Sequence, residues 1–308
     1  MKPLLAAPLG LAAAGAAGLG YAFAEARAYT LRHVSVPVLA AGAAPLRVLH
    51  LSDLHMTPGQ RRKQEWVRAL DELDPDLVVS TGDNLAHHDV LPALLEAYGP
   101  LLDRPGVFVF GSNDYFAPIR KNPLGYLTGG SGVAASGAWE RTPTLPFEEL
   151  RAAFTGAGWL DLNNRTGSLD VAGRRIAFAG VDDPHLEYDE LADVSPDPRA
   201  ELDVAVAHAP YLRVLDHFTE RGFPLLLAGH THGGQLCVPF RGALVTNCDL
   251  DTARAKGLHT HQVPGRDPAW LHVSAGLGTS PYVPFRFACR PEATLLTLTG
   301  IDSPGLSA

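Results

Sequence analysis

The order of apolar segments in this chain predicts an α/β fold, on three observations. Short apolar runs alternate with segments of helical spacing. Several of the runs end abruptly in Asp, Asn or His, at the strand ends where open α/β sheets place ligands. The chain has 308 residues and is 46% hydrophobic, enough for a sizeable core in one large domain or two ordinary ones. With 25 basic against 33 acidic residues the formal net charge is -8. No Lys/Arg cluster exceeds Arg61-Arg62-Lys63, so nucleic acid is not an expected partner. The cysteines, Cys237, Cys248 and Cys289, are far apart and lack C-x-x-C spacing, which argues against a zinc knuckle or a disulfide framework. A Cys237–Cys248 bridge is conceivable on spacing alone.

Residues Pro3 to Ala24 are almost wholly apolar, with Lys2 in front and Glu25, Arg27 and Arg32 behind. That length suits one bilayer-crossing helix, so the expectation is a membrane-associated protein with a single N-terminal anchor, its side undecided. A cleavable signal is the alternative, because Ala22-Phe23-Ala24 fits the small-x-small pattern; cleavage would leave a secreted protein. Thr30 to Pro45 reads as a linker, which divides the chain into 1–45 (anchor or signal, and linker) and 46–300 (main domain).

Leu46 to Ser52 reads as a buried strand, and His50 within it as a core or flanking residue. The strand ends at Asp53-Leu54-His55, Gln60 to Leu73 follows with helical spacing, and Asp76 to Ser80 is a second strand ending in Thr81-Gly82-Asp83-Asn84. Leu91 to Leu102 is a helix, and Gly106 to Phe110 a strand ending in Gly111-Ser112-Asn113-Asp114. Tyr115 to Pro146, rich in Gly, Ala, Ser and Pro but carrying several aromatics, reads as a lid-like insertion over the site. Leu160 to Val181 looks like a hairpin around Val171-Ala-Gly173. Leu202 to Ala207 delivers His208, and Leu225 to Ala228 runs into Gly229-His230-Thr231-His232-Gly233-Gly234. Leu271 to Ala275 and Ala293 to Leu298 close the chain as strands.

Five strand ends thus carry potential metal ligands: Asp53 and His55, Asp83, Asn113, His208, and His230 with His232. Mixed imidazole, carboxylate and amide oxygen donors without cysteine suit Mn, Fe or Zn, with Mg possible, and argue against a structural zinc site. Seven ligands fit two divalent ions, with Asp83 as the natural bridge. Two such cations would generate hydroxide from a shared water near neutral pH and clamp a phosphoryl group for in-line attack.

In order and approximate spacing these blocks resemble the calcineurin-like metallophosphoesterase superfamily. Leu51-Ser-Asp-Leu-His55 and Gly-His-Thr-His-Gly-Gly-Gln235, with the apolar N-terminus, look most like its small membrane-associated bacterial branch. The resemblance covers about Leu46 to Leu298 and implies a four-layer α/β/β/α sandwich with metals at strand ends. One metal would take Asp53, His55, Asp83 and His232, and the other Asp83, Asn113, His208 and His230. The implied activity is a phosphomonoesterase or phosphodiesterase. A pyrophosphatase of a nucleotide-activated lipid and a non-catalytic scaffold of the same fold are the alternatives.

One block departs from the family, which has Gly-Asn-His-Asp where this chain has Gly111-Ser112-Asn113-Asp114. Alignment on Asp114 puts Ser112 at the ligand position, and alignment on Gly106-Val107 puts Asn113 there. The second register is preferred because an amide oxygen is the better divalent-metal ligand. In either register the family histidine, expected to steady transition-state charge or protonate the leaving group, is missing. Asp114 could act as the acid only with a raised pKa, and Asn84 could touch substrate phosphate. Asp183 and His185 could line the pocket rim but read better as a surface turn, Arg286 and Arg290 could bind an anionic substrate but read better as partners of the acidic surface, and His87-His88 and His259-x-His261 read as solvated loops.

Overall fold

The computed structural model describes residues 6–118, 142–191 and 193–302. Most of the lid-like insertion expected over 115–146 lies outside them. In chain order the elements are α1 (Ala6–Glu25), β1 (Thr30–Leu39), β2 (Leu46–Leu51), α2 (Arg61–Arg68), β3 (Leu77–Ser80), α3 (Leu91–Tyr98), β4 (Gly106–Phe108), α4 (Ser112–Tyr115), α5 (Phe147–Gly156) and β5 (Leu160–Asp161). There follow β6 (Arg165–Val171), β7 (Arg174–Gly180), β8 (Leu202–Val206), α6 (Leu212–Glu220), β9 (Leu225–Ala228), β10 (Cys237–Val238), β11 (Gly242–Ala243), β12 (Gly257–His261), β13 (Ala269–Val273) and β14 (Glu292–Gly300).

Alternation along the buried strands builds the layers, because successive side chains leave opposite faces of a sheet. One sheet runs β1-β14-β2-β3-β4-β5 and the other β12-β13-β9-β8-β7-β6. Val48, Leu77, Val79 and Val107 of the first sheet meet Ile176, Val204, Val206, Leu225 and Leu227 of the second in the central core. On the outer face of the first sheet, Leu49, Leu51, Val78 and Phe108 take up Val67 of α2, Leu94 and Tyr98 of α3, and Leu150 and Phe154 of α5. On the outer face of the second, Ala205, Leu226, Leu271 and Val273 take up Val214, Leu215 and Phe218 of α6. Three apolar cores separate four layers, so the fold is the α/β/β/α sandwich.

β2, β3 and β4 are mutually parallel, as are β7, β8 and β9. Their carboxyl ends lie along one edge of the sandwich. Segment 274–278 ties the two sheets there: Ser274 N–H donates to Ala228 O at 2.8 Å, and Leu277 N–H donates to Ser52 O at 3.0 Å.

The N-terminal region differs from the expected linker. Residues 30–39 form an edge strand paired in parallel with β14 from Thr30–Glu292 to Leu39–Gly300. Its partner lies at the far end of the chain, and Arg32, His33 and Pro37 are the residue types an edge tolerates. Helix α1 precedes it and packs its C-terminal half on the body, with Tyr21 against Phe287 and Phe23 against Phe285. Among the described residues no helix is long and apolar enough to cross a membrane.

Candidate metal centre

The ligand types read from the sequence converge at that edge. Asp53 and His55 follow β2, Asp83 follows β3, His208 follows β8, and His230 and His232 follow β9. Asp53, His55, Asp83, His230 and His232 have φ between 39° and 69°, the left-handed region that side chains other than Asn, Asp and His rarely adopt. Such backbone persists where surrounding bonds over-determine it, and it clusters at active sites. Here Asp53 N–H donates to Gly82 O, and His55 N–H to Asp83 O, each at 2.9 Å. Two glycines permit close approach: a Cβ on Gly111 would run into Asp83 Oδ1 and the His208 ring, and one on Gly229 into Ser52 Oγ and Asp53 Oδ2.

Donor atoms of Asp53, His55, Asp83 and His232 all lie within 4.8 Å of one another. His55 Nε2 stands 3.1 Å from His232 Nε2 and 3.4 Å from Asp83 Oδ2. His232 Nε2 is 3.6 Å from Asp53 Oδ1. Nitrogen and oxygen donors about 2.0–2.2 Å from a divalent ion stand about 3.0–3.6 Å apart, so this set fits one ion. A second group adjoins it. His208 Nε2 lies 3.6 Å from Asp83 Oδ1 and 3.3 Å from His230 Nδ1. The two oxygens of Asp83 therefore face different histidine groups.

Outer partners select the ring nitrogens. His208 Nδ1 donates to Thr81 O at 2.6 Å and His232 Nδ1 to Gly278 O at 3.2 Å, which leaves both Nε2 lone pairs toward the centre. Arg286 Nη2 is 3.3 Å from His232 Nδ1, but it points hydrogens at the carbonyls of Ala275 and Gly278, each 2.7 Å away. Behind Thr81, its hydroxyl meets His50 Nε2 at 3.0 Å and His50 Nδ1 meets His272 Nδ1 at 2.9 Å. His50 is thus a bonded core residue. Burial holds His50 well below its ordinary pKa and brings His272 down to about 3.

The charges are strongly coupled. Burial, then His208 and Asp83, sets the Asp53 carboxyl at about 6. Burial pushes Asp83 up, but His208, His55 and the Asn113 N–H outweigh it and hold Asp83 below the ordinary value. Burial opposes protonation of His208, yet Asp83, Asp183 and Asp53 raise it to about 9. Burial lowers His55 to about 4 and takes His230 and His232 well below the ordinary value.

Asn113 meets Asp83 twice, through its backbone N–H to Oδ1 at 2.7 Å and through Nδ2 to Oδ2 at 2.9 Å. Rotating the amide by half a turn exchanges its oxygen for its nitrogen with no change of shape. Ser112 Oγ stands 3.2 Å from Asn113 Nδ2. Asp114 is fully buried, and its oxygens accept the N–H groups of Asp83 and Asn84 at 2.8 Å and of Gly111 at 3.0 Å. Burial and Asp83 raise its carboxyl to about 7. The Asn84 amide oxygen accepts from Ser80 Oγ at 3.2 Å and Tyr98 OH at 2.8 Å. The buried atoms Asn84 Nδ2, His55 Nδ1 and Asp183 Oδ2 make no hydrogen bond among the described residues.

Several residues differ from their expected roles. Asp183 is fully buried rather than in a surface turn; burial, then His208, Asp83 and backbone bonding, leaves its carboxyl raised to about 8. Its signal in the sequence was its place just after β7, a sixth strand end. The His185 ring lies 4.6 Å from that of His230. Arg286 is fully buried and bonds the carbonyls of His232, Ala275, Gly276 and Gly278 instead of surface carboxylates. Lys63 is also buried, donating to Leu54 O at 2.7 Å, with its pKa brought down to about 7 by burial, Arg286 and Arg27. His259 and His261 sit in strand β12 rather than a loop, and both are bonded: His259 Nε2 to the Lys256 carbonyl and His261 Nε2 to Asp216 Oδ1. His87 and His88 stack on each other in a more open stretch, with Asp89 beside them. Cys237 adjoins Cys289, not Cys248: both thiols point at Gly233 O, at 3.2 and 3.4 Å.

This fold and this donor set define a metal-dependent phosphoester hydrolase. The chain belongs to the calcineurin-like phosphoesterase family, whose model matches residues 46–234. It is 25% identical to metallophosphoesterase YkuE of Bacillus subtilis over 320 residues, covering 96% of each chain. It is 25% identical over 265 residues to phosphodiesterase YaeI of Escherichia coli, covering 83% of each. It is 28% identical over 286 residues to the transmembrane protein with metallophosphoesterase domain of Bos taurus, covering 89% of this chain and 58% of that one.

Proposed function

We propose that the protein hydrolyses a phosphomonoester or phosphodiester at a dinuclear centre, without a covalent enzyme intermediate. The observation that carries this is the division of Asp83, with Oδ2 beside His55 and Oδ1 beside His208. Asp53, His55, Asp83 and His232 would hold one divalent ion, and Asp83, Asn113, His208 and His230 the other. Such ions, when bound, lower the pKa of water and offset phosphoryl charge. The chain's own residues orient the imidazoles through Thr81 and Gly278 and keep the ligands dehydrated. Asp114 and Asn84 are positioning residues in this reading: Asp114 ties the Asp83 loop to Gly111 through three N–H groups, and its carboxyl, raised to about 7, also meets the condition for the acid role. The absent family histidine then predicts a preference for good leaving groups.

A lipid-linked substrate is the second reading, favoured by the apolar segment from Pro3 to Ala24 and by the bovine relative's name. Membrane attachment through the N-terminal segment belongs to the same reading. The test is metal analysis of the purified chain together with hydrolysis of aryl phosphomonoesters and phosphodiesters across Mn, Fe, Zn and Mg. Two metals per chain with metal-dependent turnover is expected; two bound metals and no hydrolysis of either ester would overturn the reading in favour of a lipid-linked substrate or a scaffold.

A further inference from the structure

Just beyond the His232 loop, the chain exposes apolar side chains that nothing in the metal centre uses. Strands β10 and β11 form a two-stranded hairpin with Val238 opposite Gly242 and Cys237 opposite Ala243. Leu236, Val238 and Leu244 are exposed, and Phe240 at the tip is wholly in solvent. Phe240 also has φ 65°. A bulky residue in that region is strained by about 1–3 kcal/mol, and its ring gains no burial in return. From Gly233 to Cys248 the only charged residue is Arg241, which is exposed beside Phe240.

The apolar surface continues onto α1. Leu236 bridges to Phe287, and Phe287 packs against Tyr21 of α1. Arg286 N–H donates to Ala22 O at 3.1 Å. Leu19 and Tyr21 of α1 are exposed, and the sequence remains apolar back to Pro3. Exposed Arg27 and Arg290 flank this strip. Its inner edge is the metal loop itself, since the Cys237 and Cys289 thiols both lie on the Gly233 carbonyl next to His232.

We propose that hairpin β10–β11 and the exposed flank of α1 form one docking surface for an anionic bilayer, which sets the metal centre against the headgroup layer. Apolar tips bordered by arginine are the chemistry of interfacial binding. The apolar sequence from Pro3 to Ala24, which leads into the exposed flank of α1, favours lipid as the occupant over another protein. The substrates are then phosphate esters carried on lipid headgroups. That last statement rests on the phosphoesterase reading, whereas the docking itself does not.

The experiment uses the full chain carrying Phe240→Trp, mixed with phosphatidylcholine–phosphatidylglycerol vesicles whose acyl chains are brominated. Relative to the parent protein, the emission added by the new indole is expected to shift to the blue and be quenched. Added emission that stays unquenched while the protein sediments with vesicles would overturn the proposal, since the chain would be attached but undocked. A second variant, Phe240→Asp with Leu244→Asp, should slow hydrolysis of a bilayer-embedded phosphate ester by at least about tenfold, as expected from the apolar area lost. Its rate on a soluble aryl phosphate should not change. Equal rates on the embedded ester would count against docking, as would a lipid-free dimer that the double variant dissociates, which would assign the surface to a second copy. Failure to hydrolyse both the soluble and the bilayer-embedded esters with metals bound would remove the phosphoesterase reading, while the quenching result still decides the docking.

Discussion

His55 and His232 are separated by 177 residues, yet their Nε2 atoms lie 3.1 Å apart. Two imidazole nitrogens brought this close repel unless a proton or a cation lies between them. Burial holds both rings below their ordinary pKa, so a cation is the better mediator.

Asp83 serves both halves of the centre, so Asp83→Asn is expected to release both ions. Metal content by mass spectrometry should fall from two per chain toward zero, and turnover by about 100-fold or more. Retention of both ions with ordinary turnover would show that Asp83 is not the bridge.

Asn113 and Ser112 compete for the remaining ligand position. Asn113→Ala should remove one ion per chain and weaken its binding by about 10–100-fold, and Ser112→Ala should leave two. The reverse pattern would assign the position to Ser112.

Against the opposing effect of burial, Asp83, Asp183 and Asp53 raise the pKa of His208 to about 9, so the metal-free ring favours its protonated form near neutral pH. Metal binding must displace that proton, so affinity at the His208 side should rise between pH 6 and 8, by up to about tenfold per unit. Calorimetry in buffers of different ionisation enthalpy measures the release, and an affinity flat over this range would refute it. Stability runs the other way. A raised pKa in the folded state favours folding below the ordinary histidine value and loses that contribution as pH climbs through 9. Thermal melts of the chelated protein from pH 6 to 10 should show this decline.

Gly111 lies against Asp83 Oδ1 and the His208 ring. Gly111→Ala is expected to cost about 1–3 kcal/mol by overpacking and to displace the ion held by His208. Denaturant unfolding and metal analysis on one preparation would check both; an unchanged ion count would mean that the loop yields without moving His208.

Arg286 is buried with backbone carbonyls as its hydrogen-bond acceptors. Arg286→Met should destabilise the fold by about 1–3 kcal/mol by leaving carbonyls unsatisfied. It should also loosen the His232 loop, because Arg286 Nη1 bonds the His232 carbonyl at 3.2 Å. An unchanged melting temperature would remove this role.

What could be read from the sequence was local. Leu225 to Ala228 is a strand because four apolar residues end at a glycine, and the strand-end Asp and His residues announce their chemistry by type. The left-handed backbone of Asp53, His55 and Asp83 could not be read, because loop hydrogen bonds from other segments impose it. β1 was hidden for a similar reason: its partner strand begins at Glu292. The burial of Asp183 and Arg286 depends on what covers them, and those neighbours are distant in sequence. α6 is only nine residues long, and its apolar side chains Val214, Leu215 and Phe218 pack on the second sheet.

Helix α1 passes into edge strand β1 through residues 26–29 alone, and the Glu25 carboxylate is pinned by the Ala288 N–H at 2.8 Å. A joint this short transmits torque. Any partner that gripped the helix would therefore also steer the face that carries His232, and lengthening residues 26–29 would loosen that coupling.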